Sequence, residues 1–165
     1  MTKLDDINAM TRAAFVAAFG DVAEHSPWVA ERAWERRPFA DREALIRAFA
    51  QALREAAPDA KLALIRAHPD LATRARLTAE STSEQAGAGL DRLSAQEFAR
   101  FTALNGAYKA RFGFPFIFAV RGATKNQILA AFEERVGNSP EVEFETALAQ
   151  ITRIFRFRLE DRVSP

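Results

Sequence analysis

Two histidines, His25 and His68, are the only side chains in this sequence whose ordinary titration falls near neutrality, and no cysteine accompanies them. A proton carrier is therefore sought first at these two positions. His68 stands in Ala67-His68-Pro69-Asp70-Leu71, where the proline should end or kink a helix. There the imidazole can project into a cleft, and the carboxyl end of a helix favours the imidazolium, which keeps a proton ready for delivery near pH 7. His25, in Glu24-His25-Ser26-Pro27, directly precedes a capping serine and reads as a loop residue. Further along, Ser81, Glu84 and Gln85 stand at i, i+3 and i+4, so in a helix all three point the same way. A hydroxyl, a carboxyl and a carboxamide converging on a point suit a small, polar, heteroatom-rich ligand. The same residues also read as a capping box, with Ser81 at the cap and Glu84 reaching back. Gly87 and Gly89, which follow, serve either as breakers or to let backbone approach closely. Arg121 ends a buried-looking apolar run and could present its fork to a carboxylate, although among 19 arginines and 4 lysines it also reads as an ordinary solvated cation.

Composition removes whole classes of chemistry. The absence of cysteine excludes disulfides, thiolate zinc sites, iron–sulfur clusters and a cysteine nucleophile, and two histidines cannot make a three-histidine metal site. Lys and Arg number 23 against 22 Asp and Glu, interspersed without a basic block, which argues against a nucleic-acid surface. The longest uncharged apolar stretch, Phe112 to Val120, lies between Arg111 and Arg121 and falls far short of the roughly 20 residues that a membrane helix requires. Met1-Thr2-Lys3-Leu4-Asp5-Asp6 lacks a secretory signal's basic start and apolar core, and Arg162-Val163-Ser164-Pro165 is no peroxisomal address. A cytoplasmic location is expected.

The elements that must position these residues are helices. Phe15, Ala18, Phe19 and Val22 recur at helical spacing, with Gly20 as an expected stop. Ser26-Pro27 should cap a short helix running from Trp28 toward Arg36. Asp41 should cap a third, with Leu45, Ala48, Phe49, Ala52 and Ala56 inward, and Pro58-Asp59 a fourth that ends near Ala67. Ser94 with Glu97 forms a capping box for a long helix to Phe112, closed by Gly113. Its inward stripe is Phe98, Phe101, Asn105, Tyr108 and Phe112. An amide in that stripe needs a partner, and Asn105 and Tyr108 are expected to tie down the next segment, Phe114 to Val120, which reads as extended and buried. Thr124 with Gln127 opens a helix to about Val136, and Ser139-Pro140 opens the last one, lined by Phe144, Ala147, Leu148, Ile151, Ile154, Phe155 and Leu159. The expected fold is all-α, a compact single-domain bundle over residues 1–165 with about seven to eight helices and one short extended segment.

Three motifs in order, Ala67-His68-Pro69-Asp70-Leu71-Ala72, then Ser81-x-x-Glu84-Gln85-x-x-Ala88-Gly89-Leu90, then Leu104-Asn105-x-x-Tyr108-x-x-x-Phe112-Gly113-Phe114-Pro115-Phe116-Ile117, resemble the 2-oxo-4-hydroxy-4-carboxy-5-ureidoimidazoline (OHCU) decarboxylases of uric acid breakdown. Glu24-x-Ser26-Pro27-Trp28 and Arg37-Pro38-Phe39 extend the resemblance into the amino-terminal half. It implies an all-α fold, no metal or organic cofactor, and conversion of OHCU into (S)-allantoin with loss of carbon dioxide. By the same resemblance His68 is the catalytic histidine and Glu84 the catalytic acid. Pro69, Ser81 and Gln85 line the substrate site, and backbone groups of Phe118, Ala119 and Val120 with the Arg121 side chain close it. The implied partner is the small-molecule substrate, with a homodimer as the expected assembly and neither nucleic acid nor membrane involved. The competing reading is a non-catalytic helical module that binds a purine-breakdown metabolite. Retention of both His68 and Glu84 speaks against it, because a binder needs no complete proton-transfer pair.

Overall fold

The computed structural model describes residues 1–73 and 78–165, and these fall into two compact units, Met1–Ala67 with Ile151–Pro165 and His68–Gln150. The architecture is all-α. Among the described residues the sole β-bridge is an isolated parallel pair, Thr2 with Val163.

The first unit contains α1 (Leu4–Asn8), α2 (Arg12–Phe19), α3 (Trp28–Trp34), α4 (Arg42–Arg54) and α5 (Pro58–Ala67). Thr11 caps α2 by accepting from the Ala14 N–H, and Asp41 caps α4 by accepting from that of Ala44. The aromatic spacing read from the sequence makes the core: Phe15 packs on Phe19 and Phe49 with ring centroids 5.1 and 6.1 Å apart, and Phe49 meets Phe155 edge-on. Each such ring, fully buried, contributes roughly 1.5–3 kcal/mol. Beside this core lies a buried ion pair, Arg158 donating to Glu24 Oε1 at 2.9 Å and to the Val22 carbonyl at 3.1 Å.

Gly20 ends α2 as expected, as the C-cap after Phe19, with a right-handed φ of −61° from which the chain tightens into a 3₁₀ turn over Gly20–Val22. Two local expectations change here. Ser26 does not cap α3, because its hydroxyl donates backward to the Glu24 carbonyl at 2.8 Å and leaves Pro27 at the cap position. The five-residue α1 was not expected at all, since it has neither a side-chain cap nor an apolar stripe longer than Ile7.

The second unit contains α6 (Ala79–Gly87), α7 (Ala95–Phe112), α8 (Lys125–Arg135) and the first part of α9 (Pro140–Arg162), whose residues from Ile151 onward count with the first unit. Both expected capping boxes form, Ser94 with Glu97 and Thr124 with Gln127, and Gly113 closes α7 at φ +76°, in the left-handed region where glycine carries no side-chain clash. The segment 114–120 is non-helical and belongs to no sheet, yet Phe114, Phe116, Ile117, Ala119 and Val120 are buried. Side chains replace the missing ladder: Arg135 donates to the Ile117 carbonyl at 2.7 Å, and Gln150 Oε1 accepts from the Ala119 N–H at 2.9 Å. Phe116 stacks on Phe132 with centroids 3.9 Å apart, and Tyr108 meets both rings edge-on.

Candidate functional site

All nine candidate site residues lie in the second unit. His68 is the first residue after α5 and is buried, and Pro69, which cannot donate a backbone hydrogen bond, follows it. The backbone that comes next is held by side chains of two helices. Gln85 Oε1 accepts from the Ala72 N–H at 2.9 Å, and Gln85 Nε2 donates to the Asp70 carbonyl at 3.4 Å. Asn105 Nδ2 donates to the Leu71 carbonyl at 2.9 Å, and Lys109 Nζ pairs with Asp70 Oδ2 at 2.9 Å. Ala72 has φ +54°, a left-handed conformation that costs an alanine roughly 1–2 kcal/mol, so these bonds hold a turn that the sequence alone would not favour.

Helix α6 settles the competing readings of Ser81 and Glu84. Its N-cap is Thr78, whose side chain accepts from the Ser81 N–H, so the helix begins upstream and Ser81 is inside it. The box that would have made Ser81 a cap is thereby excluded. Ser81 and Gln85 are buried and Glu84 half-buried, while Thr82 and Ser83 between them are exposed, which puts the three on one inward face. After the helix, Gly89 adopts φ +81° and the Leu90 N–H returns to the Gln85 carbonyl at 2.9 Å. Nothing lies within 4 Å of where a Cβ on Gly89 would sit, so it serves the turn and not a close backbone approach.

The remaining candidates sit on the 114–120 segment and the turn after it. Phe118 is half-buried, with its ring stacked on Phe116, and Ala119 and Val120 are buried. The Ala119 N–H is taken by Gln150, and the Val120 carbonyl accepts from the Ala123 N–H across a turn with Gly122 at φ +79°. Arg121 is exposed at the start of that turn. His25, also exposed, adopts φ +48° in the first unit, away from every candidate in sequence and unit alike.

One expectation is corrected. Asn105 does not tie down the 114–120 segment; its amide reaches the loop after His68. Tyr108 does serve that segment, through residues the sequence reading passed over. Its hydroxyl donates to Glu143 Oε1 at 2.7 Å, Arg135 Nε donates to the same oxygen at 2.8 Å, and Asn138 Nδ2 donates to Oε2 at 3.0 Å. Burial first, and the Glu143 bond second, push the Tyr108 hydroxyl well above its ordinary value of 10. The available signal was Glu143 itself, a carboxylate at the four-residue spacing that leads to Ala147 and Ile151 in the apolar stripe of α9.

The fold is that of an all-α protein whose second unit carries the imidazole of His68, the carboxyl of Glu84 and the hydroxyl of Ser81. The chain belongs to the OHCU decarboxylase family, whose profile matches residues 8–160. It is 45% identical over 161 residues to the 2-oxo-4-hydroxy-4-carboxy-5-ureidoimidazoline decarboxylase of Haloferax volcanii, covering 98% of this chain and 96% of that one. It is 41% identical over 164 residues to the uric acid degradation bifunctional protein PucL of Bacillus subtilis, covering 99% of this chain and 33% of that protein. Among solved structures it resembles a crystal structure of (S)-allantoin synthase with a TM-score of 0.82 at 33% identity, covering 99% of this chain and 54% of that one.

Proposed function

We propose that this protein decarboxylates OHCU to (S)-allantoin in uric acid degradation. The observation that carries the reading is the grip of Gln85 on the loop that begins at His68-Pro69, from the same face of α6 that bears Ser81 and Glu84. Membership of the family and near-complete coverage of a relative bearing that name support it. Residues 1–165 act on this reading as one such domain, since the family match extends across both units.

In the reaction the bond to the carboxylate breaks, carbon dioxide leaves, and its electron pair passes into the adjacent ring C=N. A proton delivered to one face then sets the stereocentre. Catalysis reduces to orienting the carboxylate, stabilising developing charge and protonating one side. His68 hydrogen-bonds the hydroxyl or carboxylate end and manages its proton, while Glu84 polarises the ring. Pro69 and Ser81 line the site. Phe118, Ala119 and Val120 form a wall that sheds water from the carbanionic intermediate, and Arg121 holds an anionic or carbonyl oxygen. Gln85 contributes from the same face.

The reading includes a cofactor-free reaction, unaffected by exhaustive chelation, and a homodimer, tested by light scattering of the purified protein. It also includes a cytoplasmic location; among the described residues no helix is long and apolar enough to cross a membrane. The deciding experiment is a circular-dichroism time course after adding the protein to urate oxidised and hydrolysed in place. Rapid growth of the (S)-allantoin signal is expected. Only slow decay of OHCU to racemic allantoin, with no (S)-allantoin signal, would refute the proposal.

A further inference from the structure

We propose that Asn105 and Gln85 are positioning residues that act through the loop after His68, a reading that rests on the catalytic role assigned to His68 above. Three consecutive residues of that loop are gripped by their backbone: the Asp70 carbonyl and the Ala72 N–H by Gln85, and the Leu71 carbonyl by Asn105. Helix α7, which supplies the Asn105 amide, holds the loop a second time through the Lys109 pair with the Asp70 side chain. Ala72 is held in a left-handed conformation that is costly for an alanine, and the amide bonds offset that cost.

Asn105 is not explained by packing. It occupies a position of the α7 stripe flanked by Phe101, Leu104 and Tyr108, all buried, where an apolar side chain would satisfy the core. Among the described residues its Oδ1 is buried with no hydrogen-bond donor, a cost that leucine would avoid. Its Nδ2, in contrast, meets a backbone carbonyl that helix and turn leave to be satisfied by a side chain. An aspartate would face the Leu71 carbonyl with an oxygen and repel it. A residue that breaks a local packing rule while fixing the backbone three positions from a catalytic histidine is placed to set where the imidazole points. Gln85 does the same from the other helix. Both ends of its amide are engaged with the loop, so whatever else it touches, Gln85 helps to place His68.

The chain's two histidines make this measurable without substrate, because ring resonances of His68 and His25 can be separated by nuclear magnetic resonance and assigned with a His68→Ala variant. Asn105→Ala, Asn105→Asp and Gln85→Met should each move the His68 resonances and its titration midpoint, leaving exposed His25 as the unchanged internal reference. The same variants should lose roughly 10²-fold in kcat, with KM changed much less, as expected for a misplaced catalytic group. If the Asn105 variants fail to fold, Gln85→Met removes a different arm of the grip and carries the test. Unmoved His68 resonances in a folded variant, or an activity loss that only follows the loss of folded protein, would overturn the proposal. A fully active His68→Ala would instead strike the catalytic reading and leave the resonance result standing, so the two failures are distinguishable.

Discussion

Glu143 is fully buried beside Arg135, with Arg135 Nε 2.8 Å from Glu143 Oε1, and the pair is completed by bonds from Tyr108 and Asn138. Through the Arg135 bond to the Ile117 carbonyl, this cluster fixes the buried, sheetless segment of the second unit. Removing one partner leaves the other charge buried and uncompensated. Glu143→Ala is therefore expected to destabilise the protein by about 3–5 kcal/mol, read as a shift of the urea unfolding midpoint. Tyr108→Phe deletes one of three donors and should cost only about 0.5–1.5 kcal/mol. Equal costs for the two variants would mean that the charge pair is not the organising element.

Tyr108 is the only tyrosine, so tyrosinate absorbance near 295 nm reports on it alone. Its folded value is raised by burial and by the Glu143 bond, so the neutral hydroxyl stabilises the fold below the unfolded value near 10. That contribution is lost as pH rises above 10 toward the folded value. At pH 10, where a free tyrosine is half ionised, the native protein should show almost no tyrosinate signal. Ionisation should come together with the loss of helical circular dichroism. A reversible, half-complete tyrosinate signal at pH 10 in folded protein would contradict this account.

Glu97 links the start of α7 to α8, accepting from the Ser94 N–H and from Lys125 Nζ, each at 2.9 Å. The backbone bond first, then the lysine, holds its carboxyl below the ordinary value of 4.5. A lowered value means stability that is fully present above 4.5 and disappears as pH falls through the folded value. Glu97→Gln keeps the capping geometry and loses the charge. The melting temperature of the natural protein should exceed that of the variant at neutral pH, and the gap should close in the acid range. A gap that persists unchanged at pH 2 would show that charge is not its origin.

The helices were legible where local chemistry sets them. Asp41, the Ser94 and Thr124 boxes and Gly113 act within their own turn, and the sequence displays both donor and acceptor. Ser26 misled because a serine next to proline has a competing acceptor behind it, the Glu24 carbonyl. The spacing of Ser81, Glu84 and Gln85 pointed to a shared face, but only the Thr78 cap, set three residues upstream, separates that reading from a capping box. The partners of Asn105 and Glu143 were not legible, since each depends on which distant backbone or side chain the fold brings near.

His68 and Glu84 yield the prediction closest to the chemistry. General acid–base groups contribute about 10²–10⁴-fold, so His68→Asn should reduce turnover of freshly generated OHCU by that order with the helical spectrum unchanged. Glu84→Gln keeps size on the inward face of α6 and removes the ionisable carboxyl, and is expected to lower both the rate and the enantiomeric excess of allantoin. Chirality is the sharper readout, because spontaneous decay of OHCU gives racemic product and dilutes the enzymatic signal as the catalysed rate falls. A Glu84→Gln protein with native rate and native enantiomeric excess would leave His68 to manage the proton without a carboxyl partner. The carboxyl would then serve to bind the substrate.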